Sequence, residues 1–223
     1  MKVCTDSCLF GAWVAHKIEQ KSINPKSILD IGAGTGLLSL MVAQNSMASI
    51  RAVEIDDNSY QQALQNFRES PWAHRLGIDH EDIKKWDNEL KYDLIISNPP
   101  FYENDLKANR SDKNLAKHSD GLTLTELLQF VKMHLADNGN FVVLLPFQRI
   151  EYFKSLVSKY PLYLKEELLV KQTPRQDYFR GILFFATEAA EIISDEIIIK
   201  NEAGNYSEKF NFLLKDYYLT IAD

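Results

Sequence analysis

Seven residues constrain this chain more than any other stretch: Asp30-Ile31-Gly32-Ala33-Gly34-Thr35-Gly36, where a short apolar run, Ser27 to Ile31, meets three alternating glycines. A strand that turns through glycines into a helix-compatible segment, here 37–45, reads as the start of a βα unit. In open α/β sheets, ligands bind at the C-terminal ends of the strands, where such turns lie. Glycines let the backbone approach a ligand and leave N–H groups at the helix N-terminus available to it. Eighteen residues past Gly36, Glu54 lies at the end of a second strand, Ile50–Ile55. A carboxylate at that point can accept both hydroxyl hydrogens of a ribose. Read alone, the loop could also be a tight turn with no ligand.

The rest of the chain continues the alternation. Helix 58–69 follows, then a weak strand at 76–78, a strong one at 92–97, and a helix at 122–135 closed by Asp137-Asn138-Gly139. Next come a strand at 141–146, a helix at 149–159, and two β-rich runs, 163–171 and 180–187, too close together for a crossover helix. The expected fold is α/β and Rossmann-like: a seven-stranded, mostly parallel sheet with helices on both faces and an antiparallel edge strand. Residues 1–187 form the main domain. Residues 188–223 are expected as a strand–helix appendage packed on it, with a turn at Ala203-Gly204-Asn205.

Within 223 residues there is no apolar run near the ~20 that a membrane helix needs. Cys4 and Cys8, four apart, would close only a trivial loop, and the five histidines share no zinc-site spacing with them, so thiols and no metal are expected. The start lacks a signal-peptide pattern, which points to a cytoplasmic protein, and a monomer is expected. The net charge of −6 argues weakly against a nucleic-acid binder, but the charge is unevenly spread. Residues 146–185 carry +3 and residues 188–223 carry −5.

Two details of the glycine loop narrow its ligand. The spacing is G-x-G-x-G, not the G-x-G-x-x-G of dinucleotide sites, and Asp30 would repel a pyrophosphate while suiting a cationic group. Both favour S-adenosylmethionine over a nicotinamide cofactor. Asp82 and Ile83, after the third strand, are candidates for holding its adenine, although an acidic solvated turn would look the same.

The chemistry points to Ser97-Asn98-Pro99-Pro100-Phe101, which follows the fourth strand. Two prolines stiffen the turn and remove two backbone donors. Asn98 Oδ1 and the Pro99 carbonyl then offer two acceptors for an –NH₂ group, beside the flat face of Phe101. An aromatic amine is a poor nucleophile because its lone pair delocalises into the ring. Two acceptors favour the sp³-like geometry that attack on a sulfonium methyl requires. The catalytic candidates are therefore Asn98, Pro99, Pro100 and Phe101. In isolation the segment could be a plain strand-ending turn; its order after the glycine loop and Glu54 makes the case.

At this point the chain resembles a family. Met1-Lys2-Val3-x-Thr5-Asp6-x-x-Leu9-x-Gly11-Ala12-Trp13, then Leu29-Asp30-Ile31-Gly32-x-Gly34-x-Gly36, Glu54-Ile55-Asp56, Ser70-Pro71-Trp72 and Asn98-Pro99-Pro100-Phe101 are similar to the bacterial tRNA(Val) adenine-N6 methyltransferases, of the class I methyltransferase fold. The resemblance implies that Thr5, Asp6, Asp30, Gly32 and Gly34 surround the methionine part of S-adenosylmethionine, with Gly36 closing the loop. It implies Glu54 on the ribose, Asp82 and Ile83 on the adenine, and residues 98–101 on the target base of a tRNA. The family has a further strand-like segment before the Lys2-Val3 run, a departure that would weaken the hold on RNA or cofactor.

Candidate RNA contacts are Arg110, Lys117 and His118 in the long polar loop after the catalytic turn. Lys171, Arg175 and Arg180 are further candidates, because Tyr178 and Phe179 lie among them and interleaved aromatics suit unpaired nucleotides. Solvated lid and ordinary sheet packing are the plainer readings. Related Asn-Pro-Pro turns serve release-factor glutamine or ribosomal guanine N2, and a nicotinamide oxidoreductase or a non-catalytic cofactor-binding module are alternatives of other classes.

Overall fold

The computed structural model describes residues 4–99 and 121–218. Helix α1 (Thr5–Glu19) comes first and buries Leu9, Phe10, Trp13 and Val14 around nearly its whole circumference. That all-round burial erases the 3.6-residue periodicity, which is why no helix is legible there from sequence. Strand β1 (Ser27–Ile31), helix α2 (Leu37–Asn45), β2 (Ser49–Glu54), α3 (Asp57–Glu69), β3 (Leu76–His80) and β4 (Tyr92–Ser97) follow. After residue 121 come α4 (Leu124–His134), β5 (Leu135–Pro146), α5 (Ile150–Val157), β6 (Tyr163–Lys171), β7 (Tyr178–Ala186), β8 (Ile193–Ile198) and α6 (Glu208–Leu214).

The helices begin where side chains can satisfy free amides. Asp56 accepts from Ser59 N–H at the start of α3, and Ser207 accepts from Phe210 N–H at α6. At α4, Thr123 and Glu126 form a reciprocal capping box.

The strands form one sheet in the order β3-β2-β1-β4-β5-β7-β6-β8. Strands β1 to β5 are mutually parallel, β7 runs antiparallel to both its neighbours, and β8 lies parallel to β6. The expected Rossmann-like architecture is present, with eight strands rather than seven. The antiparallel strand is not at the edge: β7 inserts between β5 and β6, where Ile182 to Phe185 are buried from both sides. A run of apolar residues without polar alternation needs both faces covered: Ile182 and Phe184 join the core that holds Trp13 of α1, and Leu183 and Phe185 the core that holds Phe153 of α5. The 193–198 segment continues the sheet as β8, and α6 packs against α1 through Phe210 and Leu214.

A second difference is local. Asp137-Asn138-Gly139 is not a loop after a helix stop; α4 ends at His134 and β5 starts at once. The pairing jumps from Tyr92↔Leu135 to Leu94↔Asn140, so residues 136–139 are accommodated as a bulge. Turn-forming residues fit a bulge as well as a loop.

Alternate residues of the central strands feed two cores. Leu94, Ile96, Val142 and Leu144 pack with Phe10, Trp13 and Met41 of α1 and α2. Ile95, Phe141, Val143 and Leu145 pack with Leu128 and Val131 of α4 and Phe153 of α5. This fixes register, since slipping a strand by one residue would exchange the two sets.

The β1–α2 junction carries two constraints. Gly36 has φ of 79°, and a Cβ built there would lie 2.4 Å from Cε1 of the buried Phe67 ring. Below the loop, Asp30 is fully buried; its Oδ2 accepts from Ser39 Oγ at 2.8 Å and its Oδ1 has no partner. Burial pushes its pKa up to about 7, against the hydrogen bond from Ser39.

Gly36→Ala should therefore lose at least about 2 kcal/mol in urea denaturation, combining left-handed strain with the Phe67 clash. Gly204→Ala, at φ 83° with nothing within 4 Å, should lose only about 1 kcal/mol. Equal losses would show that Phe67 imposes no constraint. For Asp30, the folded state holds its proton to higher pH than the unfolded chain, so its contribution favours folding below about pH 4 and is lost as pH rises through about 7. In the ligand-free protein, Asp30→Asn should abolish a fall of about 4 kcal/mol between pH 4 and 8. An unchanged pH profile of stability would contradict a buried, protonatable Asp30.

Candidate active site

The register brings the C-terminal ends of four strands to one level: Ile31 pairs with Val53 and Ser97, and Glu54 with His80. Residues just beyond those ends share one rim. A cavity of about 590 Å³ opens there, within the ~300–1,000 Å³ typical of ligand pockets. It is lined by Asp6, Gly32, Gly34, Glu54, Asp82, Ile83, Asn98, Pro99 and Arg180 among the expected residues. Ile31, Leu38, Val53 and Leu122 give it apolar walls.

Glu54 organises the centre. It is 8% exposed, and its two oxygens accept from Gly34 N–H at 2.7 Å and Asp56 N–H at 2.8 Å. Gly32 N–H and Ala33 N–H donate to Val53 O, and Gly36 N–H to Ala33 O. These loop amides are thus spent on the protein itself rather than left for a ligand. The cause is the close parallel pairing of β1 and β2, which carries the loop over the end of β2. A carboxylate oxygen has lone pairs beyond one donor, so Glu54 keeps acceptor capacity toward the cavity.

Asn98, one residue past β4, donates from Nδ2 to Ser7 Oγ at 2.9 Å. Its Oδ1 has no hydrogen bond among the described residues and remains an acceptor at the cavity wall. Ser7 is a site residue that the sequence reading missed. No motif marks it; only the packing of α1 against the end of β4 brings it close. Beside it, Asp6 Oδ2 accepts from Arg180 Nε at 2.8 Å, so α1 and β7 are tied across the cavity wall. That pair fixes Arg180 on Asp6 as well as on the rim.

The remaining expected residues fall elsewhere. Thr5 starts α1 off the cavity lining, Gly36 faces Phe67, and Asp30 lies beneath the loop rather than in the cavity. Asp82 lines the cavity while accepting from Lys84 N–H, so it also caps its own turn. Near it, His80 stacks on Tyr60 with centroids 4.8 Å apart and contacts Ile55 O at 3.1 Å. Lys171 and Arg175 lie at the end of β6 and in the turn beyond it. Pro100, Phe101, Arg110, Lys117 and His118 lie outside the described residues.

The site has features that fit an adenosyl cofactor with a cationic tail. An orphaned buried carboxylate oxygen lies under the glycine loop, a second carboxylate stands at ribose distance along the chain, and the walls are apolar enough for a flat ring. Among the described residues no group of three or more His, Cys, Asp or Glu could hold a metal, and no helix is long and apolar enough to cross a membrane.

Comparisons with known proteins bear on the family and the fold. The model of the methyltransferase small domain matches residues 12–151. A protein of Flavobacterium johnsoniae, named tRNA1(Val) (adenine(37)-N6)-methyltransferase, is 40% identical over 98% of this chain and 93% of its own. Proteins of the same name from Pseudoalteromonas translucida and Bacteroides fragilis are 37% and 36% identical, each over 98% of this chain and over 92% and 91% of their own. Among solved structures, an Agrobacterium tumefaciens protein described as a predicted O-methyltransferase superposes with a TM-score of 0.69 at 14% identity, over 94% of this chain and 95% of that one. A Listeria monocytogenes protein described as a class I S-adenosylmethionine-dependent methyltransferase gives 0.62 at 18%, over 86% and 64%. The solved structures share the fold alone. With relatives of a single name matched along nearly its whole length, this chain belongs to the tRNA1(Val) (adenine(37)-N6)-methyltransferase family.

Proposed function

We propose that this chain transfers a methyl group from S-adenosylmethionine to the N6 amino group of adenosine 37 in tRNA1(Val), acting as a cytoplasmic monomer. The observation that carries this reading is the place of Asn98: at the cavity wall, its Nδ2 engaged by Ser7 and its Oδ1 without a hydrogen bond among the described residues. The names of the relatives support adenosine over the guanine and glutamine amines that similar turns serve.

When bound, S-adenosylmethionine supplies an electrophilic methyl on sulfonium sulfur. Glu54 accepts hydrogen bonds from the ribose hydroxyls, and Asp82 and Ile83 hold the adenine. Asp6 and the backbone at Gly32 and Gly34 surround the methionine end, with Thr5 behind them. Asp30, below the loop, places negative charge beneath that cationic end, which would favour loss of its own proton. Asn98 Oδ1 and the Pro99 carbonyl accept the two N6 hydrogens, and Pro100 and Phe101 complete the base pocket. These acceptors are set before the base arrives, so their stabilisation of the pyramidal nitrogen needs no reorganisation. No strong base is required, since the nitrogen loses its proton only after the methyl has moved. A base inside a helix cannot reach such a pocket, so the target is an unpaired nucleotide. Arg110, Lys117, His118, Lys171, Arg175 and Arg180 are its candidate phosphate partners.

Labelled methyl donor incubated with tRNA from a strain lacking this enzyme should yield N6-methyladenosine at one position; N2-methylguanosine or methylated protein would refute the reading. Asn98→Ala should keep donor affinity within a few-fold and cut transfer at least ~10²-fold, the scale of a lost oxyanion-type contact. Unchanged turnover would remove Asn98 from the chemistry. Glu54→Gln should instead weaken donor binding roughly tenfold or more in calorimetry, as expected for losing a charge-assisted hydrogen bond. Wild-type affinity in that variant would contradict the ribose assignment.

A further inference from the structure

The C-terminal rim of the sheet is chemically two-sided. On the β1-β2-β3 side of Asn98, the acids at or just beyond the strand ends are Glu54, Asp56, Asp57, Glu81 and Asp82, with Lys84 3.7 Å from Asp82 and Lys85 after it. A phosphate backbone crossing that side would meet carboxylates, several of them at the cavity itself. On the other side, the order β5-β7-β6 places a different set in sequence outward. Strand β5 ends at Pro146, paired with Arg180, and Phe147 follows directly. The Phe147 ring lies 5.3 Å from that of Tyr178 and is 37% exposed. Lys171 Nζ sits 4.4 Å from the Tyr178 ring centre, and Arg175, beyond the end of β6, is 84% exposed.

The acids on this side are largely engaged. Asp6 holds Arg180, and Glu196 accepts from the Tyr178 hydroxyl and lies 3.7 Å from Lys171. Glu202 approaches Arg175 at 4.0 Å, but both are so exposed that the pair contributes little. Asp177 in the same turn offsets part of the charge. What distinguishes this side is an aromatic step edged by paired cations, with Arg175 the most open of them, beginning where the cavity ends. That combination suits a single strand, whose bases stack on rings while its phosphates meet Lys and Arg.

Resting on the tRNA reading above, we propose that the RNA strand leaves the cavity over β5, β7 and β6, and that the Phe147–Tyr178 ring pair stacks a nucleotide neighbouring the target adenosine. The acidic half of the rim serves the cofactor, and the aromatic half, where cations and acids pair off, serves the RNA. This division lets a chain with net charge −6 hold a polyanion at one edge.

The test uses the full chain, an unmodified tRNA(Val) transcript and the labelled methyl donor. Phe147→Ala and Phe147→Leu should each raise KM for the transcript roughly fivefold or more, the scale of one lost base stack, while Phe147→Tyr restores it. Donor affinity by calorimetry and thermal midpoint should stay at wild-type values, which separates stacking from damage to the fold. Arg175→Glu should raise KM several-fold at low salt and flatten its salt dependence by about one phosphate contact. Lys85→Glu makes the same charge change on an exposed residue of the acidic half and should stay within twofold. Unchanged KM in Phe147→Ala, or an equal effect of Lys85→Glu and Arg175→Glu, would overturn the proposed path while leaving methyl transfer intact. Failure of the wild-type protein to methylate any RNA would overturn the reading beneath it and the path with it.

Discussion

One nearly buried carboxylate holds the cleft together. Glu54 receives an amide from the glycine loop after β1 and another from Asp56 at the start of α3. Charge-assisted bonds of this kind are roughly twice as strong as neutral ones, and a buried carboxylate without them would be costly. The same group that would take a ribose thus fixes the loop that lies over it, so binding geometry and local stability share one residue. The amides of Gly32, Ala33 and Gly36 close on Val53 O and Ala33 O, so much of the loop's donor capacity serves the fold.

A second tie crosses the cleft from the opposite side. Helix α1 brings Ser7 to Asn98 and Asp6 to Arg180, so the first described helix, the fourth strand and the seventh strand meet at one wall. Such contacts join residues 91 and 174 positions apart. The α1 helix is also the lid of one core, through Phe10 and Trp13, so its position is set by packing before chemistry enters.

Some of the site was legible from local pattern. The glycine loop, Glu54, Asp82 and Asn98 all lie at or just past strand ends in the order that a parallel sheet demands, and the cavity lining collects each of the last three with Gly32 and Gly34. What pattern reading misplaced was relational. The runs at 163–171 and 180–187 pair antiparallel, as their close spacing demands, but spacing does not say that the hairpin inserts with β7 inward and carries β8 beyond β6. Helix α1 lacked periodicity, Ser7 lacked any motif, and Asp137-Asn138-Gly139 carried turn chemistry that a bulge uses equally well.

The amino-acid sequence by itself determined the βα alternation, the turn that follows each strand, and the residues placed at those turns, because these depend on local φ/ψ preferences and on apolar period. Tertiary structure alone decided which of those turns face one another, which acids are buried or spent on backbone amides, and which rings stay exposed beside them. The physical reason is that hydrogen bonds such as Asn98–Ser7 and Glu54–Gly34 exist only after the sheet has closed its register, and register is settled by burial of both faces at once.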